Sequence, residues 1–186
     1  MIWFTSDFHW NHNKDFIYKE RGFSSVEEMN QTIINNFNAV VKEDDDVYIL
    51  GDIIMGADVA QVIDYLEQLN GHLHIITGNH DTQTKIGFYK QAKNVIEVTP
   101  AKFLTIRKYH FYLSHFPTLV GNNEESRDLK SVMINICGHA HCKNCFEDMD
   151  KSLIYHVELD AHDCKPVSID DIIKDIKNFI CSNRYM

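Results

Sequence analysis

Five short apolar runs in this chain each break off at a cluster of Asp, His, Asn or Gly, and that repeated ending constrains the fold more than any bulk property. Ile2-Trp3-Phe4-Thr5 leads into Asp7-Phe8-His9, and Val47-Tyr48-Ile49-Leu50 into Gly51-Asp52. Leu73-His74-Ile75-Ile76-Thr77 leads into Gly78-Asn79-His80-Asp81. Tyr109–Ser114 stops at His115, and Met133–Cys137 stops at Gly138-His139-Ala140-His141. Runs this short, rich in β-branched and aromatic residues, read as buried strands. Strand side chains repeat with period two, so Asp7 and His9 point to one side, as do His139 and His141. Strands that end at one edge of a sheet bring their loops to a shared crevice. Gly51, Gly78 and Gly138 each precede a polar candidate, where a missing Cβ permits a tight turn and close packing.

Helical segments separate some of these strands. Ser24 or Ser25 followed by Glu27-Glu28 predicts a capped start, and Val26, Met29, Ile33, Phe37 and Val40 then recur at helical spacing. Asp58 is expected to cap a helix bearing Val62, Leu66 and Leu69, ended by Asn70-Gly71. Ser168 with Asp171 opens a last helix carrying Ile169, Ile172, Ile173, Ile176 and Ile180. Asn94–Val98, Lys102–Ile106 and Tyr109–Ser114 are expected to be strands of a more antiparallel kind, and Ile154–Leu159 adds another. The acidic run Glu43–Asp46 reads as a solvated loop, and Gly121–Lys130 as a mobile loop beside the candidate site. With β-α units first and mostly strands later, the chain is expected to fold as one α/β domain over residues 1–186, with two packed sheets and helices outside.

Composition narrows the partners. The chain has 186 residues, 44% hydrophobic and 24% charged, enough apolar mass for a proper core. Its 18 Lys and Arg against 27 Asp and Glu give a formal charge of −9, which disfavours duplex nucleic acid binding. No apolar stretch approaches the roughly 20 residues of a membrane span, so no membrane partner is expected. Thr5-Ser6-Asp7 interrupts the first apolar run at once, unlike a signal peptide. Five cysteines, an odd number, suggest reduced thiols and a cytoplasmic location. The excess is in histidine, with 11 residues.

The strand-end clusters offer two carboxylates (Asp7, Asp52), one amide oxygen (Asn79) and four imidazoles (His9, His115, His139, His141). Mixed oxygen and nitrogen donors suit borderline or harder divalent ions such as Mn²⁺, Fe or Zn²⁺ rather than an ion selected by thiolates; Mn²⁺ is the expected ion, with Fe, Zn²⁺ or Ni²⁺ as alternatives. Seven donors exceed one tetrahedral site and fit two divalent ions sharing a carboxylate. Two ions about 3.5–4 Å apart clamp the attacking and leaving oxygens of an in-line displacement and acidify a bridging water. The implied chemistry is phosphoester hydrolysis.

Asp7-x-His9, Gly51-Asp52, Gly78-Asn79-His80-Asp81, His115 and Gly138-His139-x-His141 together resemble the signature of the calcineurin-like metallophosphoesterase superfamily, in its order, across residues 7 to 141. Trp3–Asp7, Ser24–Asn30 and Lys165-Pro166-Val167-Ser168 extend the resemblance to a small bacterial and phage branch. The resemblance implies a four-layer α/β/β/α sandwich of two mixed sheets flanked by helices, with the site at one edge. It implies one metal on Asp7, His9 and His141, a second on Asn79, His115 and His139, and Asp52 bridging them. His80 is similar to the family's non-ligand histidine beside the leaving group, with Asp81 orienting its imidazole. His12 and Arg21 match positions in the small branch, which implies that they line the substrate phosphate; the alternative reading is two solvated loop residues. The superfamily's protein phosphatases continue Gly-Asp with Val-Asp-Arg-Gly, whereas this chain continues Ile53-Ile54-Met55-Gly56, which disfavours a phosphoprotein substrate.

The expected activity is therefore hydrolysis of a small phosphodiester or nucleotide. A phosphomonoester or dinucleoside polyphosphate is the alternative substrate, and a non-catalytic scaffold of the same fold the alternative class. Cys142-x-x-Cys145 makes half a zinc site, organising a structural zinc protein in one reading and incidental thiols in the simpler one. His72, His74, His110, His156 and His162 fall outside the motifs and read as structural or surface.

Overall fold

Most strands alternate sides and are buried on both, as a sheet covered on two faces requires, whereas the strands over 95–99 and 101–106 are only partly covered. A computed structural model describes residues 1–56, 58–120, 129–148 and 153–183. In chain order the elements are β1 (Ile2–Thr5), α1 (Asp15–Tyr18), α2 (Val26–Val40), β2 (Asp46–Leu50), α3 (Val62–Glu67) and β3 (His72–Ile76). There follow α4 (Gln83–Tyr89), β4 (Val95–Thr99), β5 (Ala101–Ile106), β6 (Tyr109–Ser114), β7 (Met133–Cys137), β8 (Ile154–His156), β9 (Val167–Ser168) and α5 (Ile169–Asn183).

Two mixed sheets form, with strand orders β4-β3-β2-β1-β9 and β5-β6-β7-β8, flanked by helices as the resemblance implied. Val47 and Ile49 of β2 and Leu73 and Ile75 of β3 pack with Met29, Ile33 and Phe37 of α2, Val62 and Leu66 of α3, and Tyr89 of α4. The intervening Tyr48, Leu50 and Ile76 turn to the other side and meet Phe111 and Leu113 of β6 and Ile134 and Ile136 of β7. Ile169, Ile172, Ile173 and Ile176 of α5 join that second cluster. Each fully buried aliphatic or aromatic side chain contributes roughly 1.5–3 kcal/mol. Among the described residues no helix is long and apolar enough to cross a membrane.

Local chemistry explains the helix boundaries. Ser25 Oγ accepts the N–H of Glu28 at 3.1 Å, and Glu28 Oε2 accepts that of Ser24 at 2.8 Å, which starts α2 where the sequence indicated. Ser168 Oγ accepts the N–H of Asp171 at 3.1 Å and starts α5. Asp58 is different. It stands before a 3₁₀ turn, Val59–Gln61, and its side chain accepts from Gln61 Nε2 at 3.1 Å instead of capping.

Two further expectations change. β4 runs parallel to β3, not antiparallel, because α4 supplies the crossover a parallel pair needs. Among the described residues only β5 and β6 form an antiparallel hairpin, turning at Arg107 and Lys108 with φ of 51° and 70°, and β6, β7 and β8 are parallel. The strand expected over Ile154–Leu159 ends at His156, and Leu159 begins a 3₁₀ turn. Most of the Gly121–Lys130 loop, residues 121–128, lies outside the described residues.

Candidate metal centre

Parallel pairing carries the strand-end clusters to one edge. The registers Thr5↔Ile49 and Leu50↔Ile76 align the C-terminal ends of β1, β2 and β3, and Leu113↔Ile136 aligns those of β6 and β7. The backbone then stitches the loops together, Asp7 N–H to Gly51 O and His9 N–H to Asp52 O, both at 3.0 Å, and Gly138 N–H to His115 O at 2.9 Å. Asp7, His9, Asp52, His139 and His141 all adopt left-handed backbone, with φ of 58°, 50°, 56°, 78° and 51°. Such non-glycine conformations cost about 1–3 kcal/mol each and gather at functional sites. Two glycines make room for the carboxylates. A Cβ on Gly78 would lie 2.2 Å from Asp52 Oδ1, and one on Gly138 2.5 Å from Asp7 Oδ2.

Asp52 lies at the centre. Its Oδ2 is 3.4 Å from His115 Nε2, 3.8 Å from His9 Nε2 and 3.9 Å from His80 Nε2. On one side, Asp7 Oδ1 lies 3.6 Å from His9 Nε2 and 3.7 Å from His141 Nε2, and those two nitrogens are 3.1 Å apart. On the other, His115 Nε2 lies 2.9 Å from Asn79 Oδ1 and 3.2 Å from His139 Nδ1. Asp7, His9 and His141 make one group able to hold a cation, and Asp52, His115 and His139 a second.

The donor chemistry fits cations. Asp7 is fully buried, and its Oδ1 has no hydrogen-bond partner, an arrangement that costs free energy unless a positive charge sits against it. His115 Nδ1 donates to Leu50 O at 2.7 Å, which leaves the Nε2 lone pair facing the Asn79 oxygen. His141 Nδ1 donates to Asp160 Oδ2 at 2.9 Å and likewise turns Nε2 inward. Acceptors pointed at one another call for a metal, or for a proton in its place.

Charge coupling records the same competition. Burial alone would lower His115, but its hydrogen bond to Asp52 and the Asp7 and Asp52 charges raise it to about 9. Burial would raise Asp52, yet His115 and the His80 N–H hold it down at about 2. Burial lowers His9 despite Asp7 beside it. Burial, then the neighbouring His9, His80 and His141, lowers His12 to about 4. Burial opposes the charged form of His141, but Asp160 raises it.

A cavity of about 410 Å³ opens beside this centre, lined in part by His9, His12, Phe16, His80, His141 and Lys143. His12 faces it, with its Nδ1 3.2 Å from His9 Nδ1. His80 lies at the rim with its side chain 44% exposed. Two expectations are corrected. Asp81 does not orient His80; its Oδ2 accepts the N–H groups of Asp52 and Gly78 at 2.9 and 2.8 Å, and its Oδ1 accepts Tyr89 Oη–H at 2.6 Å. Arg21 does not reach the cavity either. Its guanidinium is 2% exposed, donates to Asp7 O and Phe8 O at 2.8 and 3.1 Å, and pairs with Asp160 through two nitrogens. Both side chains are drawn under the loops, where buried backbone groups need partners.

Sequence reasoning also missed residues. Asp160 orients His141 and neutralises Arg21 from a short 3₁₀ turn that carries no spacing signal. Lys85, buried in α4, donates to Ile54 O and His80 O at 2.5 and 2.7 Å and so fixes the His80 loop. Lys143 lines the cavity two positions beyond His141, a proximity the sequence displays.

Comparison with known proteins agrees with this geometry. The chain is 36% identical over 180 residues to an uncharacterized protein of Methanocaldococcus jannaschii, covering 95% of this chain and 91% of that one. It is 29% identical over 201 residues to the Gene 66 protein of Mycobacterium phage L5, covering 96% and 94%. The fold is similar to the crystal structure of a protein of unknown function from Aquifex aeolicus, with a TM-score of 0.71, 22% identity, and coverage of 94% and 98%. Residues 1–157, which contain every strand-end cluster described above, match the calcineurin-like phosphoesterase superfamily domain, and the chain belongs to that superfamily.

Proposed function

We propose that this protein hydrolyses small phosphodiesters, nucleotides among them, using two divalent metal ions, with Mn²⁺ the first to test. The observation that carries the reading is Asp52 Oδ2, set 3.4 Å from His115 and 3.8 Å from His9, between two groups of donors. Asp7, His9 and His141 would hold one ion, Asn79, His115 and His139 the other, and Asp52 would serve both. When bound, such a pair supplies Lewis acidity to phosphoryl oxygens and a nucleophile at neutral pH.

The remaining residues act on the substrate. His80, exposed at the rim and anchored by its own N–H to Asp52 Oδ1 at 2.9 Å, gives a proton to the leaving oxygen. His12 borders the phosphate. Phe16, 65% exposed, offers a face on which a base or other flat group stacks. The charged lining favours a monoanionic diester over a dianionic monoester. Glu20 and Asp160 line the cavity beside Lys143, which lies 3.6 Å from Glu20, and Arg21 is buried against Asp160.

Hydrolysis of bis-p-nitrophenyl phosphate and p-nitrophenyl phosphate with Mn²⁺, Ni²⁺, Fe²⁺, Zn²⁺ and Mg²⁺ tests the reading. The expected result is metal-dependent turnover with the higher kcat/KM on the diester. Preference for the monoester would overturn the substrate assignment, and absence of turnover with every ion would overturn the activity.

A further inference from the structure

A second kind of donor set lies behind the His139-Ala140-His141 loop. One ligand atom each from Cys142, His156 and Glu158 lies within 4.8 Å of the others. His156 and Glu158 are fully buried, and Cys142 is half-buried. Glu158 Oε1 accepts the Ala140 N–H at 3.2 Å and lies 2.9 Å from His156 Nδ1. Glu158 Oε2 is buried with no hydrogen-bond partner. His156 Nε2 lies 3.0 Å from Asp148 Oδ2, and a fully buried thiol, Cys137 Sγ, is 3.7 Å from His156 Nδ1.

We infer that Cys142, His156 and Glu158 form a third metal site, selective for Zn²⁺ and separate from the Asp52 centre. Three arguments support it. Thiolate, imidazole and carboxylate are the donors of protein zinc sites, with bonds of about 2.0–2.3 Å, so donors already gathered this closely need only small shifts. A carboxylate on the far ring nitrogen, here Asp148, is the usual support for a metal-bound histidine and leaves Nδ1 for the ion. An orphaned carboxylate oxygen at zero exposure is costly, and a protonated His156 alone leaves Oε2 without a partner. The thiolate separates this site from the first centre, which has only oxygen and nitrogen donors.

The Cys142-x-x-Cys145 pair does not act together here. Cys145 packs against the cluster between the sheets, beside Tyr155. The second partner of Cys142 comes from the end of β8, beyond any sequence spacing. The hydrogen bond from Ala140 N–H to Glu158 places the new site directly under the two ligands of the loop above it.

Cobalt loading tests the site without relying on turnover, because a Co²⁺–thiolate bond gives a charge-transfer absorption in the near ultraviolet. The metal-free full chain titrated with Co²⁺ is expected to develop this band with one equivalent's amplitude. Cys142→Ser, a mild change at a half-buried position, is expected to abolish it and to lower bound zinc by one equivalent. Asp52→Asn, which disables the first centre, is expected to keep the band, so failure of the two-metal reading leaves this test intact. A wild-type protein without the band, a band that survives Cys142→Ser, or one lost in Asp52→Asn would each overturn the inference.

Discussion

Asp81 Oδ2 accepts the backbone N–H of Asp52 at 2.9 Å, so one buried carboxylate fixes the loop that carries the other. The same oxygen holds Gly78, and Tyr89 braces Oδ1 from α4. Asp81→Ala leaves three N–H groups (Asp52, Ile53 and Gly78) and a buried hydroxyl without this partner, at about 1–3 kcal/mol for each unsatisfied group. Apparent metal affinity is expected to fall about 10–100-fold, the usual cost of losing a group that orients a ligand. Isothermal titration with Mn²⁺ measures it. Unchanged affinity with a lowered kcat would instead restore Asp81 to His80.

His80→Ala separates acid catalysis from metal binding. Both metals are expected to remain, while hydrolysis of an alkyl or ribosyl diester falls about 10²–10⁴-fold. p-Nitrophenolate departs without a proton, so its ester is expected to lose much less. Equal losses on the two substrates, with metal content measured on the same sample, would exclude the general-acid role.

Arg21 is expected to act through stability and not through KM. Arg21→Met takes the guanidinium from Asp160, 11% exposed at its side chain, and leaves it only His141 Nδ1–H. Breaking a buried pair in this way costs roughly 3–5 kcal/mol. Urea denaturation reads this directly. A variant of normal stability with a raised KM would return Arg21 to the substrate phosphate.

His115 ties metal affinity to pH. In the metal-free protein it is raised from its ordinary value of 6.5 to about 9, chiefly by Asp52 against the effect of burial. A raised group stabilises the metal-free fold fully below pH 6.5, and that contribution is lost as pH rises through about 9. A cation must displace the same proton, so Mn²⁺ affinity is expected to rise about tenfold per pH unit toward 9 and then level off. Proton release on binding, followed in a weak buffer, checks the sign. Proton uptake, or affinity independent of pH, would contradict it.

The candidate site was legible in sequence because each cluster ends a strand, and parallel strands share an end. Asp7, His9, Asp52, Asn79, His115, His139 and His141 needed only that geometry to meet. The capped starts of α2 and α5 were legible for a similarly local reason, a serine followed three residues later by an acidic residue. α4 was hidden because Gln83–Tyr89 is short, contains Gly87 and carries little apolar periodicity, and with it went the direction of β4. Arg21 and Asp81 misled because a residue's place in a motif does not say which way its side chain turns. Asp160, Glu158 and His156 were invisible as partners, since their roles arise from contacts between distant segments.

Anomalous scattering from Mn²⁺-soaked crystals tests the proposed two-metal centre most directly. The expected map has two peaks about 3.5–4 Å apart flanking the Asp52 carboxylate. One peak should lie within bonding distance of Asp7, His9 and His141, the other of Asn79, His115 and His139. A single peak, or two that do not share Asp52, would contradict the account.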